Sequence, residues 1–309
     1  MTSDFWQALQ LTGAIADLSG QIRLRLAGPD AIRYLNGQVT QDVRKIRSGL
    51  ALPACVTNHK GKLEAFVHLT NNADGALCIS APGDLRELLP QRLEKYLIAD
   101  NCALEDLTKT SALVHILAPL EKIVPFLIGG EVPAALTRFG PPGFDLWITP
   151  DRLPFWLGRF QILTSENLSV LEVLYAIPAW GYELTPDLLP PEAGLDATAI
   201  DYQKGCYIGQ EVISRLRSVG RVNRRLTSLI QIKGPEVVQG DTIRGSANPD
   251  ADPIKTPLSS ITRTARHPVT SQIHALAFLH RNTPEGPLLC GPANGPDTAV
   301  LQVRKSLDD

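Results

Sequence analysis

The residues with the most chemistry in the shortest span stand together in Lys204-Gly-Cys-Tyr-Ile-Gly-Gln-Glu211. A thiol there follows a cation and precedes a segment predicted to be helical from near Gly209 to near Gly220. Unsatisfied N–H groups and the helix dipole favour an anion at such a start. Both influences lower a thiol pKa, which makes Cys206 a reactive or metal-donating cysteine if it is exposed. Gly205 and Gly209 permit a sharp turn or a close approach of backbone, and Tyr207 supplies an aromatic face and a hydroxyl. The same spacing also describes a small buried hydrophobe in a tight junction. The residues alone leave both readings open.

The other chemical groups are sparser. The five cysteines, Cys55, Cys78, Cys102, Cys206 and Cys290, are odd in number and none is spaced CxxC, so they form neither a disulfide framework nor a self-contained zinc or cluster cage. Any metal role would borrow ligands from a partner, and no metal site is assigned. Six histidines show no HxxxH or HExxH spacing, and no GxSxG elbow, Walker loop or GxGxxG after a strand occurs. Arg215, Arg217, Arg221, Arg224 and Arg225 cluster beyond the motif. They could meet an anionic ligand tail, an acidic partner or phosphate, or form a solvated helix face, and the lack of interleaved aromatics weighs against nucleic acid. In the proline-rich stretch 184–194, Asp187 and Glu192 could each accept paired hydrogen bonds from an amino-pyrimidinone edge. Asn36, Gln38, Thr40 and Asp42 could line the same cavity or satisfy a buried turn.

The elements that must position these groups read as follows. Ile22, Leu24 and Leu26 alternate with Gln21, Arg23 and Arg25, a half-buried strand. Asp30 is placed to cap a helix over 31–36, with Gly37 as a left-handed stop. Strands over 50–56 and 63–69 flank the turn 58–62, and a third covers 75–80. A helix beginning after Asp84 meets Pro90, which forces a kink or a late start. Strands resume over 102–107 and 111–117, an apolar-aromatic run covers 144–148, and Ser165 caps a helix that Pro178 ends. Residues 226–309 carry short strands between Gly, Pro, Asn and Asp clusters, a small all-β unit.

With 309 residues, 44% of them hydrophobic, the chain can bury more than one core. A formal charge of -2 removes any global case for a polyanion partner. The N-terminus lacks the layout of a secretory signal and every apolar run falls short of a membrane span, so the expected location is cytoplasmic, with no membrane partner.

Lys-Gly-Cys-Tyr-x-Gly-Gln-Glu resembles the signature of the YgfZ family of folate-binding iron–sulfur maintenance proteins, relatives of the glycine-cleavage aminomethyltransferase, and all seven specified positions are met. The segment from Gly28 to Asp42, with Lys60-Gly-Lys62, Leu93-Glu-Lys-Tyr96 and Glu105-Asp-Leu107, is similar to further family patterns. The resemblance implies an α+β fold, a three-part ring of two antiparallel-sheet units and a C-terminal β-barrel. The expected division is 1–48 with about 110–232, then 49–109 interleaved with it, and 233–309 as the barrel. It implies tetrahydrofolate as ligand, touched by Asn36, Gln38, Thr40, Asp42, Glu192, Tyr207, Gln210 and Glu211. Cys206 and Lys204 would be the working residues, and iron–sulfur client or assembly proteins the partners. Two departures stand out. Ala65 and Phe66 replace the acid pair that aminomethyltransferases use on the one-carbon unit. Glu172-Val-Leu-Tyr-Ala-Ile-Pro178 replaces Arg-Ile-Glu-x-Gly-Ile-Pro. An accessory protein without conventional turnover therefore ranks ahead of the alternative, a tetrahydrofolate-dependent aminomethyltransferase or demethylase.

Overall fold

The computed structural model describes residues 2, 6–7, 9, 11–218, 220–246 and 259–304. Ten strands precede the C-terminal unit: β1 (Ala14–Asp17), β2 (Ile22–Ala27), β3 (Leu52–Thr57), β4 (Leu63–Asn71), β5 (Leu77–Ala81), β6 (Ala103–Asp106), β7 (Ala112–Leu117), β8 (Ala134–Leu136), β9 (Gly143–Ile148) and β10 (Gln161–Ile162). Among them lie α1 (Ala31–Gln38), α2 (Leu88–Glu94), α3 (Leu153–Leu157) and α4 (Ser165–Leu174), and α5 (Gln210–Ser218) follows. One sheet has the order β10-β1-β7-β9-β8 and the other β3-β4-β5-β2-β6. Every pairing is antiparallel except β1 with β10. The strands β11 (Arg224–Lys233), β12 (Thr242–Ser246), β13 (Ser259–Arg266), β14 (Ile273–His280), β15 (Leu288–Gly291) and β16 (Ala299–Val303) close into a barrel. Among the described residues, closure leaves that unit no open edge to aggregate through.

The α+β architecture with a terminal barrel matches the expectation, but the chain changes sheets elsewhere. The first sheet keeps only β1 of the leading segment, and β2 with α1 already belongs to the second, so the crossing falls at 18–21 rather than near 48. Arg23 holds that crossing. Alternation put it on a wet face, yet it is 1% exposed. Its guanidinium donates to the carbonyls of Ser19 at 2.9 Å, Gln21 at 2.8 Å and Ser111 at 3.0 Å. Turn carbonyls that a buried crossing would orphan are thereby satisfied. The barrel also begins earlier than 233, because its first strand starts at Arg224.

Three local expectations fail for physical reasons. Asp30 makes no cap bond to α1; its carboxylate accepts from the Asn101 amide at 2.8 Å and pairs with Arg33. The helix runs through Gly37 to Gln38, so no left-handed stop is used there. At α4 the cap is Thr164, whose hydroxyl accepts from the Asn167 amide while Asn167 answers in a capping box. That helix ends at Leu174, three residues short of Ile177. Pro90 does act as expected, in the first turn of a late-starting α2.

The cores explain why these strands hold. Ile22, Leu24, Leu35, Val67 and Ile79 pack under the second sheet, and Leu229, Ile243, Ala275, Leu288 and Leu301 fill the barrel. Each buried leucine, isoleucine or valine among them contributes about 1.5–3 kcal/mol. Between the two sheets sits a charged layer. The neutral His115 ring donates through Nδ1 to Asp145 at 2.8 Å, and Arg138 donates through Nε to the same oxygen at 3.1 Å.

That layer, together with His274 of the barrel, gives the fold an acid-side limit. Burial lowers the pKa of His115 and sends that of His68 well below the usual range, while burial and the Arg304 charge bring His274 down to about 4. The unfolded chain takes up these protons near pH 6.5, so below that pH it binds more protons than the native state and stability falls. Each histidine kept neutral accounts for up to about 2 kcal/mol at pH 5. The urea midpoint is expected to drop steeply between pH 7 and pH 5, and a flat profile would refute this account.

Candidate functional site

Lys204 determines how the motif sits. Its ammonium donates to the carbonyls of Asn36 at 2.6 Å, Val39 at 2.6 Å and Gln41 at 2.8 Å. These oxygens lie at and just beyond the C-terminus of α1, where carbonyls lack intrahelical partners and the dipole favours a cation. Lysine suits the task because three donors radiate from one point. Burial pulls its pKa down to about 8. The cation is therefore committed to backbone oxygens, in contrast to the sequence reading that set it beside the thiol, and its role here is to position the segment. α5 begins at Gln210, so Cys206 lies four residues ahead of the helix rather than in its first turn.

Cys206 is exposed, whereas Cys55, Cys78 and Cys290 are buried and Cys102 is half-buried. Burial pushes the thiols of Cys55, Cys78 and Cys290 up to about 12, which keeps them protonated and inert. On the far side of Cys206 the backbone is pinned. Ile208 donates its amide to the Gly37 carbonyl at 3.3 Å and accepts from the Thr57 hydroxyl at 2.6 Å. Gly209 has φ +89°, and a Cβ there would stand 2.5 Å from the Asn58 carbonyl and 3.1 Å from the Gly61 Cα. Only glycine serves where two backbones meet this closely. Tyr207 packs with Ile200 and Ile213, and burial raises its phenol pKa. The hydroxyl is buried with no hydrogen-bond partner among the described residues.

The remaining residues nominated as folate contacts divide by location. Asn36 Oδ1 accepts from the Val43 amide at 3.0 Å, and Gln38 Oε1 accepts from Arg92 at 3.1 Å. Thr40 is fully buried; its hydroxyl donates to the Ala199 carbonyl and accepts from the Cys55 amide. Asp42 is gripped by Arg44 through two bonds of 2.8 Å, and that bonding holds its carboxyl below the usual range. Glu192 takes the Leu189 amide at 3.2 Å and Arg224 at 3.2 Å. Asp187 offers its backbone oxygen to Lys62. Gln210 is half-buried at the start of α5, and Glu211 points outward to Arg215 at 2.8 Å. Asn36, Thr40 and Asp42 gather around the Lys204 clamp, while Glu192 and Glu211 stand elsewhere. Asp42 and Glu192 already have both carboxylate oxygens bonded to protein donors, whereas Glu211 is bonded through one oxygen only.

Beyond α5 the structure assembles a group that the sequence only half displayed. A cavity of about 690 Å3 is lined by Tyr202, Arg217, Arg221, Arg224, Arg225 and Arg281, among others. Arg217 lies over the Tyr202 ring at 4.0 Å and Arg224 over Phe278 at 4.9 Å. The aromatics judged missing are present, supplied from 15 residues upstream of Arg217 and from the barrel strand β14, where local sequence gives no sign of them. Arg215 does not join the lining; its charge goes to Glu211.

No protein-family model matches this chain. Curated proteins named tRNA-modifying protein YgfZ do, two of which serve as examples. The one from Pectobacterium atrosepticum is 26% identical, covering 70% of this chain and 70% of its own. That from Klebsiella pneumoniae is 26% identical, covering 66% of this chain and 67% of its own. The chain is similar to the YgfZ proteins. Its fold is that of the aminomethyltransferases: glycine cleavage system aminomethyltransferase T from Bartonella henselae superimposes with a TM-score of 0.79 at 15% identity, over 95% of this chain and 85% of that one.

Of the four positions at which Glu172-Val-Leu-Tyr-Ala-Ile-Pro178 departs from the pattern Arg-Ile-Glu-x-Gly-Ile-Pro, two have physical content in the structure. Ala176 occupies the glycine position yet keeps φ 55°, a left-handed conformation unusual for a residue with a Cβ. Glu172, at the arginine position, is bound by Arg263 of the barrel. Arg263 also makes a two-point pair with Glu183, Nε to Oε1 at 3.1 Å and Nη2 to Oε2 at 2.8 Å, and donates to the Ile177 carbonyl at 3.0 Å. This cluster, which nothing in the spacing of Glu172, Glu183 and Arg263 announces, fastens the barrel to α4 and the loop after it. Ala65 is buried in the second-sheet core, and Phe66 sets its ring against His68 at 5.1 Å.

Proposed function

We propose that the protein is a YgfZ-type accessory factor that supports assembly or repair of iron–sulfur clusters in client proteins, with Cys206 as its working thiol. The observation that carries this reading is the contrast among the cysteines: one exposed thiol on a backbone fixed by Lys204 and Gly209, and three buried, inert ones. A fixed exposed thiol can donate a ligand to cluster iron in transit, or exchange with a client disulfide. Among the described residues no group of three His, Cys, Asp or Glu side chains is placed to hold a metal ion, so the remaining ligands would come from the client. Tetrahydrofolate enters as a ligand through the aminomethyltransferase fold and the family resemblance, without an assigned step. No carboxylate stands at positions 65 and 66, which weighs against one-carbon transfer as the activity. Among the described residues no helix is long and apolar enough to cross a membrane.

The relatives' name carries a second reading, action in tRNA modification, and the arginine-lined cavity is the observation that favours it. One complementation experiment separates the two. In cells lacking the native protein, Cys206→Ser is expected to fold normally yet leave iron–sulfur enzyme activities at the level of the deletion strain. Full restoration by the serine variant would remove Cys206 from the function. A defect confined to modified tRNA nucleosides, with iron–sulfur enzymes intact, would establish the second reading.

A further inference from the structure

The cavity beyond α5 carries more charge than its surroundings neutralise. Five guanidinium groups, those of Arg217, Arg221, Arg224, Arg225 and Arg281, line it. They meet two carboxylates, Asp196 on Arg225 at 2.9 Å and Glu192 on Arg224 at 3.2 Å, a surplus of three positive charges. Arg217, Arg221 and Arg281 have no carboxylate partner among the described residues. Five like charges on a solvated convex face would spread apart; here they converge on a concavity with apolar walls from Pro191, Leu216, Val222 and Leu279. Low-dielectric walls focus such a field into the cavity.

Two of the guanidiniums are also held in place in advance. Arg217 is stacked on Tyr202 and Arg224 on Phe278, and Glu192, 9% exposed, anchors Arg224 from behind. A stacked guanidinium keeps its planar fork free at the edge, and that fork matches the two oxygens of a carboxylate or phosphate. Apolar walls, pre-oriented forks and unpaired cations together describe a site for a compact molecule with several anionic groups rather than for a single ion.

We propose that this cavity binds a small polyanion carrying two or more phosphate or carboxylate groups. The proposal rests on the charges and walls of the cavity and not on the folate reading. Calorimetric titration of the full chain with tripolyphosphate and, separately, with a triglutamate peptide tests it and identifies the anion class. One of the two is expected to bind saturably at one site, with affinity falling as salt rises. Arg221→Ala and Arg281→Ala are each expected to weaken that binding about tenfold, and the double variant about a hundredfold. Both side chains are exposed and unpaired, so melting temperatures should not move. Arg47→Ala, which removes the same charge outside the cavity, is expected to leave affinity unchanged. Failure of both probes to bind, or an equal loss in the Arg47 variant, would overturn the proposal.

Discussion

Lys204→Met is expected to lower the free energy of unfolding by about 3 kcal/mol, read as a shift of the urea midpoint at neutral pH. Methionine retains most of the apolar stem, so the loss isolates the ammonium. Without it the buried carbonyl of Val39 and the half-buried carbonyls of Asn36 and Gln41 lose their shared donor, and an unsatisfied buried acceptor costs more than the net value of the bond. Lys204→Arg is not expected to rescue, because a planar fork cannot direct donors at three oxygens grouped around one point. An unchanged midpoint in Lys204→Met would mean that the clamp is dispensable. The variant should also free the Cys206 segment, so alkylation of the thiol by a bulky reagent should accelerate, while Cys55, Cys78 and Cys290 stay protected by burial.

The second large effect is at the barrel junction. Arg263→Met is expected to destabilise by about 3–5 kcal/mol, because Glu183 then keeps a buried charge with no cation beside it. The Glu183 and Arg263 side chains are 0% and 4% exposed. Burial pushes the carboxyl of Glu172 upward and Arg263 opposes that push, so removing the arginine lets the first effect prevail. The triple variant Arg263→Met, Glu172→Gln, Glu183→Gln should recover a large part of the loss, since amides carry no charge to strand. Equal instability in the single and triple variants would show that packing, not charge, governs the junction.

Much of the architecture was legible because it rests on local rules. The hairpin around 58–62, the late start of α2 at Pro90 and the barrel strands all follow from turn chemistry and alternation, and each is present. What could not be read depends on partners far away in the chain. Arg23 alternates like a solvent-facing residue and becomes buried because turn carbonyls from 18–21 and 108–111 converge on it. Lys204 sits two residues from Cys206, yet its donors reach residues more than 160 positions earlier. Tyr202 and Phe278 escape any local search for aromatics among the arginines because the barrel brings one of them in. Exposure of Cys206 is likewise a tertiary property, and the motif alone could not decide it.

The contact between Gly209 and the turn at 58–61 has one more consequence. Gly61 has φ +70°, and a Cβ on it would come within 3.1 Å of Val212 on α5. At Gly209 the approach to α5 thus rests on the hairpin turn backbone to backbone, while Gly61 of the turn rests on the Val212 side chain, with the Thr57–Ile208 bond closing one flank. Side chains can change rotamer to absorb a displacement, but bare backbone cannot. The β3–β4 hairpin and the thiol-bearing segment therefore open and close as one cooperative unit, and the lifetime of that unit, more than the chemistry of the cysteine alone, sets how long the thiol holds a fixed position for a partner.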